Sequence, residues 1–179
     1  KDGTDPRTDP NGIFKVEDGA VHVSGQYFGC LTTNEEYENY RLKLEFKWGE
    51  KKWPPREKVV RDAGILMHKV GPDKVWPRSI ECQIQEHDTG DFYLVDGTSI
   101  VVDGKVETKY KKKARDAEKP TGEWNTVEVV CDGDTIINIV NGVEVSRGTH
   151  ASVTRGKIVL QSEGAEIFYR NITLTPIKK

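Results

Sequence analysis

The residues best equipped for chemistry sit in one stretch, Ser79 to Asp88. Ile80, Cys82 and Ile84 alternate with Glu81, Gln83 and Gln85, the period of a half-buried strand. Its polar side therefore lines up a carboxylate and two amides, and a second carboxylate, Glu86, follows directly. Such a set can hold the hydroxyls of a polar ligand and move its protons. Side chains two apart on a strand point the same way, so Glu81 and Gln83 share a face with Gln85. Glu86 has the opposite parity and joins that face only through a β-bulge. With the bulge, the two carboxylates would flank a single sugar at the spacing of about 5 Å that retaining glycosidases use.

Other residues are expected to gather around this strand. In Ala63 to His68, Ile65 and Met67 take the core parity, which turns His68 outward with Gly64 and Leu66. An imidazole near the carboxylates would titrate close to neutral pH. Arg61 and Asp62 start the same strand and are expected to orient the site. Lys47, with Glu45, lies on the polar parity of an earlier strand. Trp53 and Trp76 stand in loops, where their rings could stack on sugar faces, whereas Trp48 has core parity. Gln161 and Glu163 project opposite to Ile158 and Leu160 and complete a candidate substrate cleft.

The elements that must position these residues read as strands throughout. Leu42, Leu44, Phe46 and Trp48 share one parity, and similar runs span Trp124–Cys131, Thr135–Val140, Val143–Ser146, Gly156–Leu160 and Glu166–Thr175. Asx-Gly pairs at Asp18, Asp96, Asp103, Asp132 and Asn141 supply tight turns. The best helical segment, Thr33 to Tyr40, is short and could equally lead into a strand. Many short strands joined by Gly-containing turns predict an all-β chain, a sandwich or jelly roll. No linker divides the chain, so residues 1–179 read as a single domain. The least regular stretches are the start to Asn11, Gly49–Arg61 and Lys109–Gly122.

Composition narrows the function classes. Lys+Arg 27 against Asp+Glu 29 leaves no global field for nucleic acid or an anionic membrane. The run Lys109–Lys113 reads as a solvated loop, because no second basic patch supports it. No apolar run approaches the roughly 20 residues of a membrane span, so no transmembrane segment is expected. The chain begins at Lys1 without an initiator methionine, which reads as removal of a signal peptide or of an added segment. Cys30, Cys82 and Cys131 include no Cys-x-x-Cys pair and read as buried free thiols, with one disulfide as the alternative in a secreted protein. No phosphate loop, dinucleotide fingerprint or Ser-His-Asp arrangement is present. No fixed ligand spacing demands a metal, and the pattern predicts no certain cofactor.

The pattern Glu81-x-Gln83-x-x-Glu86 resembles the Glu-x-Asp-x-x-Glu strand of the retaining β-glucanases and laminarinases, with Gln83 in place of the central acid. A broader resemblance covers nearly the whole chain. Phe14–Gly19, Gly29–Thr33, Tyr37–Tyr40, Leu44–Gly49, Asp62–Ile65, Glu81-x-Gln83 with Thr89-Gly90-Asp91, Glu123–Asn125, Asn141-Gly142, Leu160-Gln161 and Arg170–Ile172 occur in the order seen in the 3-keto-disaccharide hydrolase family. The chain departs from many relatives at Asp62-Ala63-Gly64, where they read Asn-Ser-Gly, and at His68, a position often held by Arg.

This resemblance implies a concanavalin A-like jelly-roll β-sandwich of two antiparallel sheets, export to the bacterial periplasm or cell envelope, and action on glycosides oxidised at C3. A C3 ketone acidifies the C2 hydrogen, so the C1 substituent can leave by elimination without a glycosyl cation. In that chemistry Glu81 or His68 would be the base, Gln83 would position hydroxyls or the enolate, and Glu86 would be the acid. A divalent metal held by His68 and the carboxylates could replace the donors. A conventional retaining glycosidase and a non-catalytic carbohydrate-binding module are the alternative readings.

Overall fold

The alternation seen in the sequence becomes strand after strand. The computed structural model describes residues 9–178, so residues 1–8 of the irregular start and of the expected domain lie outside the described residues, as does Lys179. In chain order the strands are β1 (Phe14–Glu17), β2 (Ala20–Val23), β3 (Gly29–Thr32), β4 (Tyr40–Lys52) and β5 (Asp62–Val70). Next come β6 (Arg78–Gln85), β7 (Phe92–Val95), β8 (Ile100–Val102), β9 (Lys105–Glu107) and β10 (Tyr110–Lys111). β11 (Asn125–Asp132), β12 (Thr135–Val140), β13 (Val143–Gly148), β14 (Lys157–Ser162) and β15 (Ala165–Pro176) follow. The described residues contain no helix; where one could have formed, Tyr37 instead makes an isolated bridge to Gly156 ahead of β4.

A seven-stranded sheet, β1-β2-β15-β4-β11-β12-β13, faces a six-stranded sheet, β10-β7-β6-β5-β14-β3, while β8 and β9 pair as a separate hairpin. The strand pairs are antiparallel, and strands adjacent in space come from distant parts of the chain, as in a jelly roll. The Asn141-Gly142 turn between β12 and β13 has φ of 49° and 81°, the positive values a two-residue hairpin demands.

The core lies between the sheets. Leu42, Leu44, Phe46 and Trp48 of β4 are buried with Ile65 and Met67 of β5 and Ile80, Cys82 and Ile84 of β6. Each such side chain contributes about 1.5–3 kcal/mol when fully removed from water. Cys30, Cys82 and Cys131 are all free thiols; Cys82 and Cys131 are buried, which raises both above the ordinary range, Cys131 to about 12, whereas Cys30, expected to be buried too, is partly exposed on edge strand β3. The basic run does not form a free loop. Its start makes edge strand β10, and Lys113 is buried with its ammonium on the His87 carbonyl.

Three residues expected at the site, Lys47, Glu86 and Arg61, are structural instead. Lys47 points outward from the seven-stranded sheet, its ammonium 5.2 Å from the Trp124 ring and 5.5 Å from the Phe168 ring. Parity identified its face correctly, but that face belongs to the sheet opposite Glu81. Glu86 keeps its odd parity, because the pairing of Asp62–Met67 with Ile80–Gln85 runs without a bulge. Its carboxylate accepts the Arg61 backbone N–H (2.7 Å), the Arg61 Nη1–H (2.8 Å) and the Thr121 hydroxyl (2.7 Å).

Arg61 in turn donates from Nε to the Gly49 carbonyl (3.1 Å) and from Nη2 to the Glu50 carbonyl (3.3 Å). Since Gly49 and Glu50 belong to β4, the pair stitches the two sheets together. Burial works to raise the Glu86 carboxyl, but the Arg61 amide, Thr121 and the guanidinium together hold it below the usual glutamate value. The sign follows: the clamp is fully present above the unfolded glutamate value of about 4.5 and is lost as pH falls through the lower folded value. Glu86→Gln is expected to lower the unfolding free energy by about 1–3 kcal/mol at neutral pH. Urea denaturation at pH 7 and below pH 4 checks this; the difference from wild type should shrink at the lower pH.

Candidate active site

Strand register assembles the polar face. Glu81 lies opposite Leu66 of β5 and Tyr93 of β7, Gln83 opposite Gly64, and Gln85 opposite Asp62. Residues paired across antiparallel strands point the same way, so all of these share the outer face of the six-stranded sheet. Gln161 of β14 pairs with Cys30 and sits one residue beyond the Leu160–Ile65 pair, which sets it beside Gly64 on that face. Glu163 follows in the turn to β15. Glu81, Gln83, Asp62, Gln161 and Glu163 are each at most 5% exposed.

Gly64 is the floor of the site. A Cβ there would overlap Glu81 Oε1 and Gln161 Oε1, so both side chains lean over the bare backbone of β5. Gln161 Nε2 donates to the Val75 carbonyl (2.8 Å), which ties the site to the loop carrying Trp76. Arg56, from the loop between β4 and β5, places Nη2 2.7 Å from Asp62 Oδ2 and 3.1 Å from Glu163 Oε2. Gln85 Nε2 adds a bond to Asp62 Oδ2 (3.0 Å). Three buried oxygens of this face have no partner among the described residues: Asp62 Oδ1, Gln83 Oε1 and Gln161 Oε1. The floor is thus rich in acceptors, which suits hydroxyl donors.

Crowding shifts the acids upward. Burial, then the charges of Glu163 and Asp62, push Glu81 well above the ordinary carboxylate range against the pull of Arg56. Burial and the Asp62 charge raise Glu163 to about 7, opposed by Arg56 and the Trp76 indole. Burial also raises Asp62, although Arg56, Gln85, the Ala63 amide and Gln83 all favour its charged form.

Aromatic rings stand on both sides. Trp76 is 48% exposed and meets Phe28 edge-on at 5.7 Å. Beyond Glu81, Tyr93 and Tyr110 contact each other at 4.9 Å, and the Tyr110 hydroxyl donates to Asp91. Trp53 is committed elsewhere: its indole N–H donates to the Ser24 carbonyl (3.1 Å) and its backbone N–H to Gly164 (2.8 Å). Its own carbonyl accepts the Arg56 N–H (2.7 Å), so Trp53 positions Arg56 rather than offering a stacking face.

His68 is not in the site. The β5–β6 register shifts between Met67 and Val70, and His68 takes φ 55°. That bulge turns the imidazole into the core, edge-on to Tyr40 at 5.5 Å, with Nδ1–H donating to the Val153 carbonyl (3.1 Å). Burial lowers it to about 4, so it is neutral at physiological pH. The imidazole expected to clamp a divalent ion is therefore absent from the carboxylates. Among the described residues no three His, Cys, Asp or Glu side chains converge as metal ligands, and the positive charge between Asp62 and Glu163 is that of Arg56. The structure thus brings together Glu81, Gln83, Gln161, Glu163 and Trp76, and leaves out His68, Glu86, Arg61 and Lys47. Sequence reasoning missed Arg56, Tyr93 and Tyr110. Tyr93 carried a signal, since it alternates with Phe92 and Leu94; Arg56 carried none.

An all-β sandwich with one acceptor-rich face between aromatic rings defines a jelly-roll protein of the carbohydrate-active class. The chain belongs to the family described as the 3-keto-alpha-glucoside-1,2-lyase-like domain, whose family model matches residues 1–175. Among solved structures it is similar to a proposed glycosyl hydrolase of Parabacteroides distasonis ATCC 8503, with TM-score 0.69, 20% identity, and coverage of 92% of this chain and 90% of that one. The carbohydrate-binding module CBM66 of Bacillus subtilis gives TM-score 0.68 at 11% identity, covering 92% of each chain. A β-glucanase of Bacillus licheniformis gives 0.60 at 12% identity, covering 94% of this chain and 84% of that one. At these identities the likeness establishes the shared fold. No curated protein matches the chain in sequence.

The bare floor at Gly64 has a measurable consequence. Gly64→Ala displaces the flexible ends of Glu81 and Gln161 rather than backbone, so the chain should still fold, at a cost of about 1–3 kcal/mol. If the site turns over a glycoside, kcat/KM should fall far more, by about 10²-fold, as a roughly 1 Å displacement of the Glu81 carboxyl implies. Parallel thermal melts and steady-state assays check the contrast.

Proposed function

We propose that the chain cleaves 3-keto-glycosides by elimination across C1 and C2, as an exported enzyme of the bacterial envelope. The observation that carries this reading is the trio of buried carboxylates, Asp62, Glu81 and Glu163, beside one guanidinium, that of Arg56, which pairs with Asp62 and Glu163 only. Such a cluster holds a proton on one acid while another stays charged, which is what a base–acid pair needs. Family membership supports the substrate class.

In this mechanism the sugar ring lies on the polar floor, its hydroxyls donating to Asp62 Oδ1 and Gln83 Oε1. Trp76 covers an apolar face of the ring. Glu163, poised at about 7, accepts the C2 proton. The electrons of the C2–H bond pass into the C3 enolate, for which Arg56 supplies the nearby positive charge. The enolate then expels the C1 substituent, forming the C1–C2 double bond, as Glu81 gives its proton to the departing oxygen. The products are an alcohol and a 2-hydroxy-3-keto-glycal; addition of water to the latter returns the free 3-keto sugar. No step requires a glycosyl cation, and Gln83 can stand where a glucanase strand holds an acid.

Incubation with matched native and 3-keto disaccharides tests the reading. Only the 3-keto substrate should be cleaved, with transient ultraviolet absorbance of the conjugated enone. Cleavage of the native sugar alone would mark a conventional glycosidase, and binding without turnover of either would mark a carbohydrate-binding module. Glu163→Gln should lower kcat by about 10²–10⁴-fold. Because Glu163 must be ionised to act, kcat/KM should fall as pH drops below about 7, a limb that a pH–rate profile reads directly.

A further inference from the structure

We infer that Glu81 rests as a neutral carboxylic acid whose O–H donates to Gln161 Oε1 across Gly64, which makes Gln161 the positioning residue for the catalytic acid. The inference rests on the proposed elimination for the acid's use, but the resting state of Glu81 stands on geometry of its own.

Gln161 Oε1 is fully buried and has no donor among the described residues. Its amide cannot be turned around to remove the problem, because Nε2 already donates to the Val75 carbonyl at 2.8 Å. Reversal would set oxygen against oxygen there. Glu81 Oε1 converges on the same bare spot above Gly64 as Gln161 Oε1. Two such oxygens repel if neither carries a proton, and Gln161 would then keep an unpaired buried acceptor. A proton on Glu81 converts that repulsion into a hydrogen bond.

The charge balance selects the same acid. The charged and titratable groups around Glu81 are Asp62 from β5, Glu163 from the turn after β14, Arg56 from the β4–β5 loop and Tyr93 from β7, with the neutral Cys82 of β6 and Tyr169 of β15 within reach of its charge. Arg56 makes ion pairs with Asp62 and Glu163, and among the described residues Glu81 makes none. Of the three carboxylates, Glu81 is the one with an acceptor beside it in place of a cation. Its raised carboxyl agrees.

During turnover the Glu81 O–H bond breaks and its proton passes to the glycosidic oxygen as the C1–O bond breaks. The proton taken from C2 by Glu163 balances this loss and returns to Glu81 before the next cycle. Gln161 touches no reacting atom; it holds the proton on the Oε1 edge of Glu81 until the leaving group competes for it.

Infrared difference spectroscopy in chelator-treated buffer, with no substrate, tests the resting state. Wild type minus Glu81→Gln at pH 7 should show the carbonyl stretch of one protonated carboxylic acid. Glu81→Gln should fold as well as wild type, since its amide N–H can donate to Gln161 Oε1. In Gln161→Met the band should move to the frequency of a carbonyl group with a free O–H. The alkaline limb of kcat/KM on the 3-keto substrate should also shift down by about one pH unit, because the neutral form loses its partner. Absence of a protonated-acid band at pH 7, or a band that Glu81→Gln leaves in place, overturns the inference. A band unchanged in Gln161→Met overturns the role of Gln161. Since the spectra need no substrate, failure to cleave a 3-keto-glycoside would sink the elimination reading and leave this result standing.

Discussion

One guanidinium stands among three buried carboxylates and pairs with only two of them, and the behaviour of the site depends on that imbalance. Arg56 bridges Asp62 and Glu163, while Glu81 lies against amide oxygens. Ionised groups out of water need compensation, and one cation cannot compensate three anions. The deficit pushes the Glu81, Glu163 and Asp62 carboxyls upward, whereas on a surface they would be plain carboxylates. The Arg61–Glu86 pair, built from the same residue types at the end of the same strands, shows the opposite outcome. There one cation meets one anion with two further donors, and Glu86 is held ionised. Stoichiometry within a few ångströms separates a clamp held ionised from a cluster of raised acids.

Much of this was written in the alternation of polar and apolar residues. The outward side of β6, the core parity of β4 and the placement of Gln161 and Glu163 all follow from a period of two. The all-β sandwich follows from the number of short strands and their Asx-Gly turns. What parity cannot give is which sheet a face belongs to, and Lys47 shows it: correctly outward, yet on the far side of the sandwich. Nor can it give a break in register. The bulge at His68 inserts a left-handed residue into Leu-Met-His-Lys, a run without Gly, Asn or Asp to announce it. Glu86 is the mirror case, where the bulge that would have brought it to the site is missing. Arg56 was invisible because loop geometry, rather than a repeat, carries it across to β5.

The two outer faces of the sandwich differ in how fully their polar groups are satisfied. On the seven-stranded sheet, His22 stacks on Phe168 at 4.7 Å, Lys47 reaches Phe168 and Trp124, and Arg170 lies 3.8 Å over Trp124 while pairing with Glu45. Glu166 closes the row on His22. The side chains of this row are paired or stacked inside the protein. Among the described residues the six-stranded sheet does the reverse and leaves Asp62 Oδ1 and Gln83 Oε1 without a donor. A sugar, which brings hydroxyl donors, has something to satisfy on only one of these surfaces.

The missing side chain at Gly64 also bears on how such a site can change over evolutionary time. Glu81 and Gln161 occupy the volume that any other residue at position 64 would claim, so the three positions are epistatic. Substitutions at neighbouring sites that share one space are expected to be non-additive, and a larger residue at 64 becomes tolerable only after 81 or 161 has shortened. The strand neighbours form a single heritable unit, and the order of mutation along such a path is set by a methyl group's worth of room.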